Sequence, residues 1–93
     1  MLAGVLTGAR VHVAYLDPEG LIGRHPAGTD QLFLVVNGNG WVSGSDGHSV
    51  AIAAGQAAFW QAGEQHATTT DTGMSAVIIQ SNELGQLLDK GGP

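Results

Sequence analysis

The chain has 93 residues, of which 43% are hydrophobic and 12% are charged, and this predicts one globular domain with a single modest core. Eight acidic and three basic side chains give a formal net charge of −5, which argues against nucleic acid and anionic membranes as partners. With no cysteine, no apolar run of the ~18 residues that span a membrane and no typical signal peptide in MLAGVLTGAR, we expect a cytoplasmic protein without disulfides.

Short apolar runs separated by turns make up the first half of the chain. Residues 9–16 alternate between two faces, one of which carries the valines and the tyrosine of ARVHVAYL, and DPEG then makes a turn. A short strand at 21–25 ends at PAGT. The run at 31–37, QLFLVVN, is rich in β-branched and aromatic residues and predicts a strand that ends in a hairpin turn at GNG.

The second half continues the same pattern. WVSG and HSVAIA flank the turn SDG and predict a second hairpin, and AAFW, HATTT and MSAVIIQ supply further strands. Together with 15 glycines, this density of strands and turns predicts an all-β barrel or sandwich over about residues 9–80. Leucines at helical spacing after a polar cap predict a short C-terminal helix over about 82–90, before a flexible tail at 91–93.

The strand QLFLVVN is apolar on both of its faces. One face carries Phe33 and Val35, and the other carries Leu32, Leu34 and Val36. A strand that is apolar on both sides needs cover on both sides. Because a domain of this size has few layers, we predict that the Leu32, Leu34 and Val36 face packs on a second sheet of the chain or forms a homodimer contact.

Two of the four histidines lie where predicted strands meet loops. His25 ends a strand before PAGT, and His66 begins a strand after QAGEQ. The mouth of a barrel, where strands meet loops, is where binding sites form. His12 lies out of phase with the apolar face of its strand and His48 follows a turn, so we expect neither of them in a site.

Two stretches have the spacing of a known pair of motifs. The pattern G-x5-P-x-G-x2-H-x3-N is matched at every spacing, with glutamine in place of the proline and threonine in place of the asparagine. The matching residues are Gly55, Gln61, Gly63, His66 and Thr70.

The pattern G-x5-H-x-H-x3–4-E-x6-G aligns less completely. His25 and Gly38 stand at its first histidine and last glycine, Ala27 replaces the second histidine and Gln31 replaces the glutamate, while Gly20 is one residue too close. Over about residues 9–80, this pair of motifs resembles that of the cupin superfamily.

The resemblance implies a small cupin-type antiparallel β-barrel, a double-stranded β-helix or jelly roll of RmlC-like form, with a divalent metal inside. Carried over residue by residue, the metal ligands are His25, Gln31 and His66, and Glu64 could reach in from its loop. Two imidazoles and an amide bring no negative charge, whereas iron, manganese and nickel sites obtain it from a carboxylate. Zinc usually has a charged ligand or three histidines. We therefore expect zinc, iron, manganese or nickel to be held weakly, if at all.

The same groups could instead form a hydrogen-bonded polar cluster or bind a small polar ligand. We predict that such a pocket is lined by Tyr15, Phe33, Val35 and Trp60. Since Phe59 and Trp60 are adjacent in a strand, one of them faces inward and the other outward.

The sequence leaves three functions open. The one we favour is that of a small cupin-fold protein that binds a small molecule or a weakly held metal, as a sensor or accessory protein. A metal-dependent isomerase, dioxygenase or decarboxylase would use His25 and His66 as ligands, but Ala27 and Gln31 count against it. A dimeric structural module with a decayed site is the third, and the retention of both histidines counts against that. The sequence identifies no catalytic residue.

Overall fold

The computed structural model describes residues 8–82 and residue 84. This part of the chain forms seven strands, and every pair that they make is antiparallel. The strands are β1 (Arg10–Leu16), β2 (Leu21–Pro26), β3 (Gln31–Ser43), β4 (Ser49–Ala53), β5 (Ala57–Trp60), β6 (Gln65–Thr69) and β7 (Met74–Gln80). The predicted all-β class is confirmed. Most of the helix predicted over 82–90 and all of the tail at 91–93 lie outside the described residues. None of the described residues belongs to a helix with the length and hydropathy needed to cross a membrane.

The long strand β3 takes part in both sheets of the fold. Its first half pairs with β5 and β7, and its second half pairs with β4 and β6. One sheet therefore has the strand order β1-β7-β3-β5, and the other has the order β2-β6-β3-β4. Because β3 joins the sheets along its own length, the two sheets enclose a common core.

The predicted hairpin turn at GNG is wrong, because β3 runs through these residues to Ser43. The register between β3 and β7 shifts between Val35 and Asn37, and Gly38 then has a φ of +81°. A Cβ at Gly38 would collide with the backbone carbonyl of Gly73. The glycine thus makes an irregularity that bends the strand from one sheet into the other rather than a chain reversal. The hairpin predicted at SDG is present between β3 and β4.

The core lies between the two sheets and receives alternate side chains of each strand. On β3, Gln31, Phe33 and Val35 are buried, whereas Leu32 and Leu34 on the opposite face are half-buried. Around Phe33 and Val35, the remaining members of the buried cluster are Val42, Ile52, Trp60, Met74 and Ala76.

The two faces of β1 are oriented opposite to the prediction. Val11, Val13 and Tyr15 are 62%, 53% and 78% exposed, whereas Ala14 and Leu16 are half-buried. The prediction that Tyr15 lines an internal pocket is therefore wrong. Alternation separates the two faces of a strand but does not say which of them meets the core, and β1 lies at the edge of its sheet, where both faces carry apolar residues.

Candidate functional site

His66 is the centre of a buried polar cluster. It is the second residue of β6 and is only 2% exposed. Its ring stacks on that of Trp60, the last residue of β5, with the ring centroids 4.6 Å apart and the planes inclined by 25°. Phe33 meets the Trp60 ring edge-on, with centroids 6.0 Å apart. These aromatic contacts hold the imidazole between β5 and β6.

A chain of hydrogen bonds connects His66 with the protein surface. Gln31 Nε2 donates to His66 Nε2, and His66 Nδ1 donates to the backbone carbonyl of Glu64, each over 3.5 Å. Gln80 Nε2 donates to Gln31 Oε1 over a shorter 3.0 Å. At the exposed end, His12 Nε2 lies 3.3 Å from Gln80 Oε1. Because a neutral imidazole has one donor and one acceptor nitrogen, this network assigns the Nδ1–H tautomer to His66.

The strand register brings the two motif histidines together. In the pairing of β2 with β6, His25 is the direct partner of His66. The register shifts between Ile22 and His25, so a bulge precedes the pair. The side chain of His25 lies outside the described part of the structure, and the statement here concerns its backbone position.

A groove of about 800 Å³ lies between β4 and β5. It is lined by β4, by β5 with Phe59 and Trp60, and by the end of β3 with the loop that follows it. Trp60 is therefore the predicted pocket residue that lines it, whereas Phe33 and Val35 are packed in the core. His66 and Gln31 are not among its lining residues, so Trp60 separates the polar cluster from the groove.

Two polar groups face the groove next to Gly44. Trp60 is 3% exposed and its indole N–H has no acceptor among the described residues, so this donor is open to the groove. Glu64 Oε1 accepts a hydrogen bond from the backbone N–H of Gln61 at 3.1 Å, which leaves Oε2 for another partner. A Cβ at Gly44 would lie 2.8 Å from Glu64 Oε2 and 3.7 Å from Trp60 Nε1. Glycine at this position therefore keeps the space beside both groups open.

The outer face of the sheet formed by β1, β7, β3 and β5 is apolar. Two rows of cross-strand neighbours run over its first three strands. We define the outer face by their six residues: Val11, Ile79 and Leu32 in one row, and Val13, Val77 and Leu34 in the other. Leu32 and Leu34 are half-buried, and Val36 is 51% exposed at the register shift of β3.

Comparisons with known proteins identify the architecture. No protein-family model matches the sequence, and no curated protein matches it. Solved structures do match. A cupin superfamily protein from Desulfitobacterium hafniense has a TM-score of 0.74 at 12% identity, over 87% of this chain and 73% of its own. An RmlC-like cupin from Shewanella frigidimarina has a TM-score of 0.75 at 20% identity, over 80% of this chain and 66% of its own.

A predicted oxalate decarboxylase from Thermotoga maritima has a TM-score of 0.72 at 25% identity, over 78% of this chain. The chain has the cupin fold. The resemblance drawn from the two motifs is thereby confirmed at the level of fold. This small cupin-fold protein covers only 66% of the length of its Thermotoga maritima relative.

The described side chains of this cupin-fold protein do not form the metal site that the fold implies. Gln31 turns Oε1 to Gln80 and presents the hydrogen-bearing Nε2 to His66, so the amide offers no oxygen there. The Glu64 carboxylate faces the groove, and Glu64 contacts the imidazole through its backbone carbonyl. Among the described residues, no group of three or more His, Cys, Asp or Glu side chains could hold a metal ion. Because the side chain of His25 lies outside the described part of the structure, the predicted set of His25, Gln31, His66 and Glu64 stays a prediction.

Sequence reasoning missed several residues of the groove and of the cluster. Gln80 ends an otherwise apolar strand and pairs with Gln31 in the register, a position that only the strand pairing reveals. Gly44 and Asp46 follow β3, and the sequence placed Gly44 at the end of a predicted strand and Asp46 in the turn SDG. The signal available for Gln80 was its polarity at an inward-facing position of MSAVIIQ.

Proposed function

We propose that this cupin-fold protein binds a small organic molecule in the groove beside Trp60. The observation that carries the proposal is the indole N–H of Trp60, which lies at a groove of about 800 Å³ and makes no hydrogen bond to the described residues. Mostly apolar concavities with a few polar groups are typical of small-molecule sites, and this volume lies within their usual range. The lining of the groove fits that description, with Val42, Ile52 and Trp60 beside the Glu64 carboxylate.

The cluster of His66, Gln31 and Gln80 supports the groove in this proposal and is not a resident metal centre. His66 stacks on Trp60, and its hydrogen bonds to Gln31 and to the Glu64 carbonyl restrict the imidazole on both nitrogens. Elemental analysis of protein purified without chelator or nickel resin tests this point. Stoichiometric zinc, iron, manganese or nickel that is lost on His66→Ala would favour the metal-dependent enzyme instead.

Replacing Gly44 with alanine tests the groove itself. The new Cβ would lie 2.8 Å from Glu64 Oε2, so the substitution fills the space beside the two polar groups. Gly28→Ala is the matched control, because a Cβ at that exposed position would meet nothing within 4 Å. In a fragment screen by protein-observed NMR, we expect hits that shift the Trp60 Nε1–H resonance in the wild type and in Gly28→Ala. The same fragments should bind Gly44→Ala more weakly. A screen whose hits bind all three proteins equally would overturn the proposal.

We also propose that the protein forms a homodimer through the outer face. The six residues of this face are apolar and span adjacent strands, and two of them, Val11 and Val13, are 62% and 53% exposed. Exposed apolar surface that continues across several strands is typical of an interface between subunits. A second copy of the chain fits it, because none of the six residues is charged and the contact would bury no charged group.

The oligomeric state tests this second proposal. Light scattering should give twice the 9.5 kDa of one chain. Val13→Glu places a charge on the outer face and should weaken dimerisation by at least about tenfold. Leu21→Glu is the matched control, since Leu21 is 67% exposed on β2 of the other sheet and should leave the dimer unchanged. A monomeric wild type, or equal effects of the two substitutions, would contradict the proposed interface.

A further inference from the structure

The groove is acidic at the end near Gly44. Its lining includes the carboxylates of Asp46 and Glu64 and the imidazole of His48, and it includes no lysine or arginine within the described part of the chain. Asp46 Oδ1 accepts from the backbone N–H of His48 at 3.0 Å, and Glu64 Oε1 accepts from that of Gln61 at 3.1 Å. Each carboxylate therefore keeps one oxygen for a ligand. An anionic ligand would lie near two carboxylates, and the imidazole of His48 is the other ionisable group among the described lining residues, so a cation is favoured.

The indole N–H of Trp60 lies near one of these carboxylates. Trp60 as a residue is 3% exposed, and its N–H makes no hydrogen bond to the described residues, so this donor is accessible to a ligand in the groove. Trp60 Nε1 and Glu64 Oε2 both lie within 4 Å of the point where a Cβ of Gly44 would stand. One small ligand could thus reach both groups at once, donating a hydrogen bond to the carboxylate oxygen and accepting one from the indole N–H.

The rest of the groove accepts an apolar group. Trp60 contributes an aromatic ring, and Val42, Val50 and Ile52 contribute aliphatic side chains. An ammonium beside an aromatic ring also gains from the negative face of the ring.

We propose that the groove binds an organic ammonium ion that carries a hydroxyl or carbonyl oxygen near its nitrogen and an apolar body. This inference rests on the proposed function and adds the class of ligand to it. The ammonium bonds to Glu64 Oε2, the oxygen accepts from Trp60 Nε1, and the apolar body lies against β4 and β5.

Three probes of equal ring size separate the contributions of charge and acceptor. Phenylethanolamine carries the ammonium and the hydroxyl, phenethylamine lacks the hydroxyl, and mandelate carries the hydroxyl with a negative charge. At pH 7.5 we expect phenylethanolamine to bind several-fold more tightly than phenethylamine, because it makes one more neutral hydrogen bond. We expect it to bind at least about tenfold more tightly than mandelate, because mandelate lacks the charge-assisted hydrogen bond to Glu64. Titrations followed by the Trp60 Nε1–H resonance measure each dissociation constant.

Two variants connect the differences to named atoms. Glu64→Gln removes the charge but keeps an acceptor for the Gln61 N–H, and it should weaken the binding of phenylethanolamine about tenfold. Asp71→Asn is the control, because it makes the same charge change at an exposed site away from the groove, and it should leave binding unchanged. Trp60→Phe should remove the advantage of phenylethanolamine over phenethylamine while both amines still bind, which is followed by ligand-observed NMR.

The outcomes distinguish this inference from the proposed function. If mandelate binds as tightly as phenylethanolamine and Gly44→Ala still blocks it, the ligand class is wrong and the groove stays a binding site. If Glu64→Gln and Asp71→Asn have equal effects, the ligand class is also wrong. If neither these probes nor the hits of the fragment screen respond to Gly44→Ala, the proposed function fails.

Discussion

Replacing Gln31 with methionine removes the amide at the middle of the hydrogen-bond chain and keeps an unbranched side chain of similar length. Gln80 Nε2 loses an acceptor at 3.0 Å, and His66 Nε2 loses a donor at 3.5 Å. Half-buried Gln80 can bond to water instead, whereas His66 is 2% exposed and is shielded from water. Leaving a buried polar group without one of its partners costs roughly 1–3 kcal/mol, and burial of the methionine offsets part of this. Because the contact with His66 is long, we expect the free energy of unfolding to fall by about 1–2 kcal/mol.

Urea denaturation at one protein concentration measures this loss, with an unchanged slope showing that the variant still unfolds in the same way. Gln65→Met is the matched control, because Gln65 is the exposed neighbour of His66 on β6, and its free energy of unfolding should change by less than about 0.5 kcal/mol. Equal stability of the two variants would refute the reasoning. As a second readout, the imidazole nitrogen shifts of His66 should report the Nδ1–H tautomer in the wild type.

Three further predictions concern other parts of the fold. Gln31→Glu supplies the negative charge that the cluster lacks, so we expect a gain in manganese or zinc binding by calorimetry; no gain would show that carboxylate charge is not what is missing. Gly38→Ala places a Cβ against the Gly73 carbonyl at a positive φ, so it should lower the free energy of unfolding by about 1–3 kcal/mol. Gly28→Ala should change the free energy of unfolding by less than about 0.5 kcal/mol, and equal melting curves of the two variants would contradict the prediction. His12→Ala removes the exposed end of the hydrogen-bond chain and should lower the free energy of unfolding, measured by urea denaturation, by less than about 0.5 kcal/mol. A decrease of more than about 1 kcal/mol would show that the bond to Gln80 contributes more than an exposed contact should.

Motif spacing and strand alternation predicted the fold because both report on the backbone. The distances along the chain from Gly55 to Thr70 match the motif at every step, and the turns at SDG and after Gly55 separate strands that the structure contains. Alternation in QLFLVV separated the buried Phe33 and Val35 from Leu32 and Leu34. It failed where a face had to be assigned, since Tyr15 lies on an apolar face that is directed to the outside.

The groove could not be predicted in this way, because its polar groups come from segments without a periodic pattern. Glu64 and Gly44 lie in loops that are brought together by the pairing of β3 with β6. Likewise, the choice between Phe59 and Trp60 depended on how β5 pairs with β3, which places Trp60 opposite Gln31. The orientation of the Gln31 amide depended on Gln80, whose proximity follows from pairing over a long sequence distance.

The sharing of β3 between the two sheets has a consequence for the order of folding. Of the strand pairs described, only β3 with β4 joins elements that are neighbours in the chain, through the short loop at 44–48. Every other pairing closes a longer loop and loses more chain entropy before it is stabilised by contacts. We therefore expect this hairpin to be the most structured part of the transition state, with a φ-value for Ile52→Val well above that for Val77→Ala. The rim of the groove that bears Gly44 would then form first, and the strands that supply Trp60 and His66 would be added to it.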